Sequence, residues 1–222
     1  MPGALDTELV EFQGWTMRVR PAVGTAPRLL LLLHGWTGDE NSMWVFMRNF
    51  SADTWTIAPR GIHPAPSGYS WRPASSRASG DAPDGRPGLE NLQPAAQALL
   101  ALVDSYASAN AIPAASFDVI GFSQGAVLTI TLALLHPERI RRAGVLAGFM
   151  PEGSQGLVEG RALQGRSLFV AHGTRDETVP VEYARRSVEA LERAGAAVTY
   201  CEDEVGHKLS AGCLRQMEKF FA

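Results

Sequence analysis

Residues 117–128 read FDVIGFSQGAVL, an apolar run that leads into the pentad G-x-S-x-G and then into further apolar residues. The run 117–120 does not alternate between apolar and polar residues in the way that a half-exposed strand does, so we expect a strand buried on both faces of a sheet. A serine at the apex of a sharp strand-to-helix turn needs small neighbours, which Gly121 and Gly125 supply. The stretch therefore predicts a strand, a tight turn that presents Ser123, and a helix. A glycine-rich turn that serves packing alone is the alternative interpretation.

Strand-length apolar runs alternate with helix-periodic segments along most of the chain, a pattern typical of the α/β class with a mostly parallel sheet and helices on both faces. The opening pair of strands is expected to form an antiparallel edge, and the runs 29–33 and 117–120 are expected to be central. Strands are predicted at 7–12, 16–20, 28–33, 54–58, 117–121, 143–146, 167–171 and 197–201. Helices are predicted at 42–50, 89–109, 124–136, 181–194 and 209–221.

The composition indicates one domain over residues 1–222, with no separate cap domain. The chain is 45% hydrophobic with a formal net charge of −3, so a nucleic-acid partner is not expected. The longest apolar stretches fall short of the roughly 20 residues that span a bilayer, and the first residues do not resemble a secretory signal. We therefore expect a cytoplasmic protein without stable membrane insertion. Cys201 and Cys213 are expected to be free thiols, and the oligomeric state is left open.

A serine nucleophile requires a base, and the base requires an orienting acid. In enzymes with this turn the chain order is serine, acid, histidine. His207, in the segment EVGHKL, follows the last predicted strand and is the expected base. Asp176, in HGTRDETVP, follows the preceding strand and is the expected acid, with Glu177 as the adjacent rival and the acidic run 202–204 as a weaker one. His172 precedes this acid and is expected to be a structural residue.

The oxyanion of acyl transfer needs two backbone N–H donors, one from the residue after the nucleophile and one from an early loop. Gln124 supplies the first. Trp36, in the turn LHGWTGD, is the expected second donor, and Thr37 is the alternative. The segment 60–89 contains five Pro, five Gly and five Ser and predicts a long loop with a functional role. We expect Trp71 from this loop to line an apolar acyl site with Trp36, Phe149 and Met150.

From residue 28 to the end, the chain resembles the α/β-hydrolases of the carboxylesterase and phospholipase type, which include the acyl-protein thioesterases. The resemblance rests on LLHG followed by a Gly-Asp turn, on GFSQG, on HGTRDETVP and on VGH. It implies a serine esterase or thioesterase that needs no cofactor; the sequence has no metal-binding motif either.

The expected function is hydrolysis of short to medium acyl carboxylic esters through an acyl-enzyme, with thioesters and lysophospholipids as further substrates to test. Two alternatives stay open. One is a noncatalytic binding protein with the hydrolase fold, because a fold does not prove an activity. The other is an acyl-protein thioesterase or lysophospholipase specialised for longer chains.

Overall fold

An eight-stranded sheet forms the centre of the computed structural model, which describes residues 6–24, 27–74 and 86–222. A two-stranded hairpin, β5 with β6, stands apart from this sheet. The strands in chain order are β1 (Glu8–Phe12), β2 (Trp15–Arg20), β3 (Arg28–Leu33), β4 (Thr54–Pro59), β5 (His63–Ala65), β6 (Gly68–Ser70), β7 (Phe117–Phe122), β8 (Ile140–Leu146), β9 (Ser167–Gly173) and β10 (Ala197–Asp203).

The strand order across the sheet is β1-β2-β4-β3-β7-β8-β9-β10. β2 runs antiparallel to both of its neighbours. The remaining six strands of this sheet, β4, β3, β7, β8, β9 and β10, are parallel to one another. The antiparallel edge and the central position of β3 and β7 are therefore confirmed. In a parallel sheet the carboxyl ends of the strands share one edge, and the loops that leave β3, β7, β9 and β10 meet there.

Helices cover both faces of the sheet. They are α1 (Leu89–Ala109), α2 (Gln124–Leu135), α3 (Gln155–Glu159), α4 (Val181–Arg193) and α5 (Ala211–Phe221). Leu29, Leu31 and Leu33 of β3 pack in the core that contains α1, α2 and α4, whereas Leu30 and Leu32 pack with α5 on the opposite face. This division explains why β3 is apolar without alternation. None of the described helices is both long and apolar enough to cross a membrane.

The prediction of a helix at 42–50 is wrong, because this segment holds only a short 3₁₀ turn at Trp44–Phe46. Local side-chain bonds compete with a helix here. The Ser42 hydroxyl accepts from the Asp39 N–H and donates to the Asp39 carboxylate, and the indole N–H of Trp44 donates to the Glu40 carbonyl.

The segment 60–89 is more ordered than the sequence indicates over the part that the structure describes. It contains the β5–β6 hairpin, and residues 75–85 lie outside the described ranges. Tyr69 of β6 exchanges backbone hydrogen bonds with the turn after β3, since its carbonyl accepts from Thr37 and its N–H donates to Gly38. The hairpin therefore supports that turn. The short helix α3 was not expected from the sequence either.

The expectation of two free thiols is wrong, because Cys201 and Cys213 form a disulfide. Cys201 lies in β10 and Cys213 lies in the first turn of α5. The packing of α5 against β10 brings the two α-carbons to 5.7 Å, although 12 positions separate them in sequence. Their spacing alone does not reveal this packing.

Replacing both cysteines with alanine is expected to lower the free energy of unfolding by about 3 kcal/mol, because a closed loop of this length restricts the unfolded chain. For a chain of this size the melting temperature should fall by roughly 10 °C. Turnover at 25 °C should stay near that of the wild type. Calorimetry of the wild type with and without reductant, beside the double variant, checks the result; equal melting temperatures in all three samples would contradict it.

Candidate active site

Ser123 lies at the apex of the turn between β7 and α2. Its backbone has φ 52° and ψ −115°, a conformation that is strained for a residue with a β-carbon. A β-carbon at Gly121 would overlap the Gly125 carbonyl, and one at Gly125 would overlap the Leu33 carbonyl. Both glycines are thus required by close backbone approach. The Ser123 N–H donates to the Leu146 carbonyl at 2.9 Å, which fixes the turn against β8.

Asp176 and His207 are in direct contact, with 2.6 Å between Nδ1 of His207 and Oδ2 of Asp176. The Asp176 side chain is fully buried, while that of His207 is 24% exposed. The second carboxylate oxygen, Oδ1, accepts from the N–H groups of Thr178 and Val179 at 2.9 Å each. The carboxylate is thus held by its own loop and presents one oxygen to the imidazole.

The His207 ring also packs against Phe122, with 4.9 Å between ring centroids. Phe122 immediately precedes Ser123, so the imidazole lies beside the turn. Ser123 and His207 both lie in the described part of the chain, and the structure shows no hydrogen bond between the Ser123 hydroxyl and the His207 ring. Such contacts are often long in an unliganded site and shorten when substrate binds.

The other acids considered from the sequence make different contacts. Glu177 is exposed. Glu202 accepts from Arg185 at 2.7 and 2.8 Å, and this pairing lowers the pKa of Glu202 to about 2. A hydrogen bond from Ser210 lowers the pKa of Asp203. Among the described carboxylates considered for this role, Asp176 is the one that is bonded to His207.

The two candidate oxyanion donors lie at the same edge of the sheet, Trp36 in the turn after β3 and Gln124 at the start of α2. The N–H of Thr37 donates to the Tyr69 carbonyl at 2.9 Å, which argues against Thr37 as a donor to substrate. Gln124 begins α2, where a backbone N–H has no partner within the helix. The side-chain oxygen of Gln124 accepts from the Trp71 N–H at 3.0 Å, so the residue after the nucleophile is anchored to the hairpin segment.

Trp71, which was expected to line the acyl site, is only 1% exposed. Its indole N–H donates to the His34 carbonyl at 2.8 Å, and its ring packs on the His34 ring at 4.8 Å. The composition predicted a long loop with a functional role, and at Trp71 this loop folds back onto the end of β3. Trp71 is therefore a core residue that supports the turn carrying Trp36.

His34 is a buried residue whose role the sequence did not reveal. Its Nε2 atom accepts from the Gly61 N–H at 2.8 Å, so the proton resides on Nδ1, which faces the Gly35 carbonyl at 2.7 Å. Burial lowers the pKa of His34 from the ordinary value of 6.5. The neutral ring thereby ties the end of β3 to the start of the long loop.

Because the folded state disfavours protonated His34, the unfolded chain takes up this proton first as pH falls. The contribution of His34 to stability is therefore complete above pH 6.5 and is lost progressively below it, down to the depressed pKa of the folded state. Urea unfolding at pH 7.5 and 5.5 should show a smaller acid-induced loss for His34→Gln, which does not titrate, than for the wild type. Equal losses in both proteins would argue against this account.

Two of the cavities that the described residues form lie near this edge of the sheet. One, of about 270 Å³, lies against the turn 35–38, residues 42–46 and Phe122, directly beside Ser123 in sequence. The other, of about 540 Å³, is lined by Phe149 and Met150 and lies between α3 and α4. None of the three catalytic candidates lines either cavity, but Gly35 of the smaller one lies against Ser123, where a β-carbon on Gly35 would be 3.3 Å from that of Ser123. The structure thus separates Phe149 and Met150 from the pocket next to the nucleophile.

A family model described as phospholipase/carboxylesterase matches residues 16–222. The chain belongs to the phospholipase/carboxylesterase family. Its fold is the α/β-hydrolase fold, which two solved carboxylesterases share. A carboxylesterase from Mesorhizobium loti is 22% identical with a TM-score of 0.79, covering 97% of this chain and 98% of that one. The Bacillus cereus carboxylesterase is 21% identical with a TM-score of 0.80, covering 94% of each chain.

Curated relatives of this phospholipase/carboxylesterase family member align over shorter segments. A probable inactive carboxylesterase from Oryza sativa subsp. japonica is 29% identical over 136 residues, which cover 59% of this chain and 55% of the relative. Pyrrolizixenacetamide deacetylase from Xenorhabdus hominickii is 30% identical over 121 residues, which cover 54% of this chain and 38% of the relative. The chain thus spans about half the length, or less, of the curated relatives that it matches.

Proposed function

We propose that this family member is a serine carboxylesterase that hydrolyses short to medium acyl esters through an acyl-enzyme. The observation that carries the proposal is the buried Asp176 bonded to His207 at 2.6 Å, beside a serine in strained turn geometry. Strained backbone at a polar residue is typical of functional sites. An orienting acid bonded to a base is what a serine nucleophile requires.

In the proposed reaction the Ser123 hydroxyl attacks the ester carbonyl while Nε2 of His207 takes its proton. Asp176 holds the other ring nitrogen and stabilises the imidazolium that forms. The N–H groups of Trp36 and Gln124 stabilise the oxyanion. His207 then gives its proton to the leaving alcohol, and a water activated by the same histidine releases the acid from Ser123.

The size of the pocket beside Ser123 supports small acyl groups. At roughly 30 Å³ for each water-sized group, the cavity of about 270 Å³ holds about nine such groups. Residues Val45, Phe46 and Phe122 give it apolar walls. A short acyl chain fits this volume.

A fluorophosphonate probe tests the proposed nucleophile directly, because it reacts fast only with a hydroxyl that is paired with a base and faces oxyanion donors. We expect one labelled peptide, containing Ser123, in the native protein and none after denaturation. Hydrolysis of p-nitrophenyl esters should be fastest from acetate to octanoate. Labelling elsewhere, or a preference for palmitate, would contradict the proposal.

A noncatalytic binding protein is the second candidate, because one relative carries a name that describes it as inactive. A native protein inert to both the probe and the esters would favour this candidate.

The compartment is also part of the proposal. A disulfide persists in oxidising compartments, so Cys201–Cys213 favours such a compartment over the cytoplasm expected from the sequence.

A further inference from the structure

The carboxylate oxygen that holds His207 is approached by a second imidazole. Nε2 of His172 lies 3.4 Å from Oδ2 of Asp176, and both side chains are fully buried. His207 lies 2.6 Å from the same oxygen. Oδ2 thus lies between two histidines, while Oδ1 is occupied by backbone N–H groups.

The contacts of His172 define its protonation. Its Nε2 atom also lies 2.8 Å from the Val179 carbonyl, and a carbonyl only accepts, so Nε2 carries a proton. This single N–H donates to the Val179 carbonyl, and Oδ2 of Asp176 lies 3.4 Å from the same nitrogen. Glu202, the neighbour of His172 in β10, is bonded to Arg185 and does not compete for this proton.

Packing does not explain a histidine at this position. Nδ1 of His172 is buried without a hydrogen-bond partner, and a buried nitrogen without a partner costs stability. An apolar side chain of similar size would fill the space without that cost. What the imidazole adds is the Nε2–H at the acid loop.

We infer that His172 is a positioning residue for the Asp176–His207 pair. This inference rests on the proposed function. Its N–H holds the loop of Asp176 at the Val179 carbonyl, and its ring lies against the oxygen that orients His207. Without that donor the Val179 carbonyl loses its partner, and the loop whose N–H groups hold Asp176 is less firmly fixed. The imidazole of His207 then spends less time directed at Ser123. The expected loss is in kcat, because the pocket beside Ser123 is unaffected.

His172→Leu and His172→Gln test this inference together, since the glutamine amide nitrogen reaches the position of Nε2 and leucine has no donor. We expect His172→Leu to lower kcat between about tenfold and a hundredfold with KM nearly unchanged. His172→Gln should recover most of the loss. His136→Leu, at the far end of α2, is the matched control and should retain wild-type turnover.

Proton NMR supplies a readout that does not depend on turnover, because the proton shared by His207 and Asp176 resonates far downfield. That resonance should shift or broaden in His172→Leu and persist in His172→Gln. Wild-type kcat and an unchanged resonance in His172→Leu would overturn the inference, as would a loss that His172→Gln fails to recover. If the wild type hydrolyses no ester, the proposed function fails, whereas the resonance still decides whether His172 orients the pair.

Discussion

Ser123→Ala is expected to abolish ester hydrolysis, with a fall in kcat on the order of 10⁶ if the precedent of other serine hydrolases transfers. Alanine retains the β-carbon, so the strained backbone at φ 52° is as acceptable to the variant as to the wild type. The fold and melting temperature should therefore be unchanged. Activity that remains should come from binding and oxyanion stabilisation alone. Kinetics on p-nitrophenyl acetate, with circular dichroism as the folding check, measure the effect.

Ser105→Ala is the matched control, because the Ser105 hydroxyl bonds only within α1 and is distant in sequence from the catalytic edge. It should retain both probe labelling and turnover. Ester hydrolysis at the wild-type rate by Ser123→Ala would disprove the proposed nucleophile, even if the family assignment stands.

Asp176→Asn is expected to lower kcat by about 10⁴ without unfolding the protein. The structure supplies the reason. Oδ1 of Asp176 accepts from the N–H groups of Thr178 and Val179, so the asparagine oxygen takes that place and its amide nitrogen faces His207. The facing ring nitrogen must then accept a hydrogen bond, which moves the proton to Nε2. In that tautomer His207 cannot take the proton of Ser123.

Glu177→Gln is the paired control, since Glu177 is the exposed neighbour of Asp176 and the variant makes the same change of carboxylate to amide. It should retain near wild-type kcat. If Glu177→Gln loses activity and Asp176→Asn keeps it, the acid has been assigned to the wrong residue. Both proteins are compared at one pH, with pre-steady-state acylation measured by release of p-nitrophenol.

The sheet, its antiparallel edge and the long helices were predictable, because apolar periodicity and the glycine spacing around Ser123 are local signals. The bounds of α1 match the sequence expectation at both ends. The failures involve contacts between distant segments or specific side-chain bonds. Trp71 is buried because its loop returns to His34, and residues 42–50 form no long helix because Asp39 and Trp44 bond locally. The pairing of Asp176 with His207 agrees with the expected order, whereas the catalytic roles stay predictions until they are measured.

His207 lies six positions after Cys201 and six before Cys213, at the midpoint of the ring that the disulfide closes. Six extended residues reach at most about 20 Å, and the chain itself limits His207 to this distance from Cys201 in either redox state. The disulfide adds a second anchor at Cys213, so the segment that carries His207 is held to β10 at both ends. After heating and cooling, His207 of an oxidised sample should therefore return to its position beside Asp176 more readily than that of a reduced sample. Under reducing conditions the segment that carries His207 is held to β10 at one end only, so the base samples more positions whenever α5 detaches.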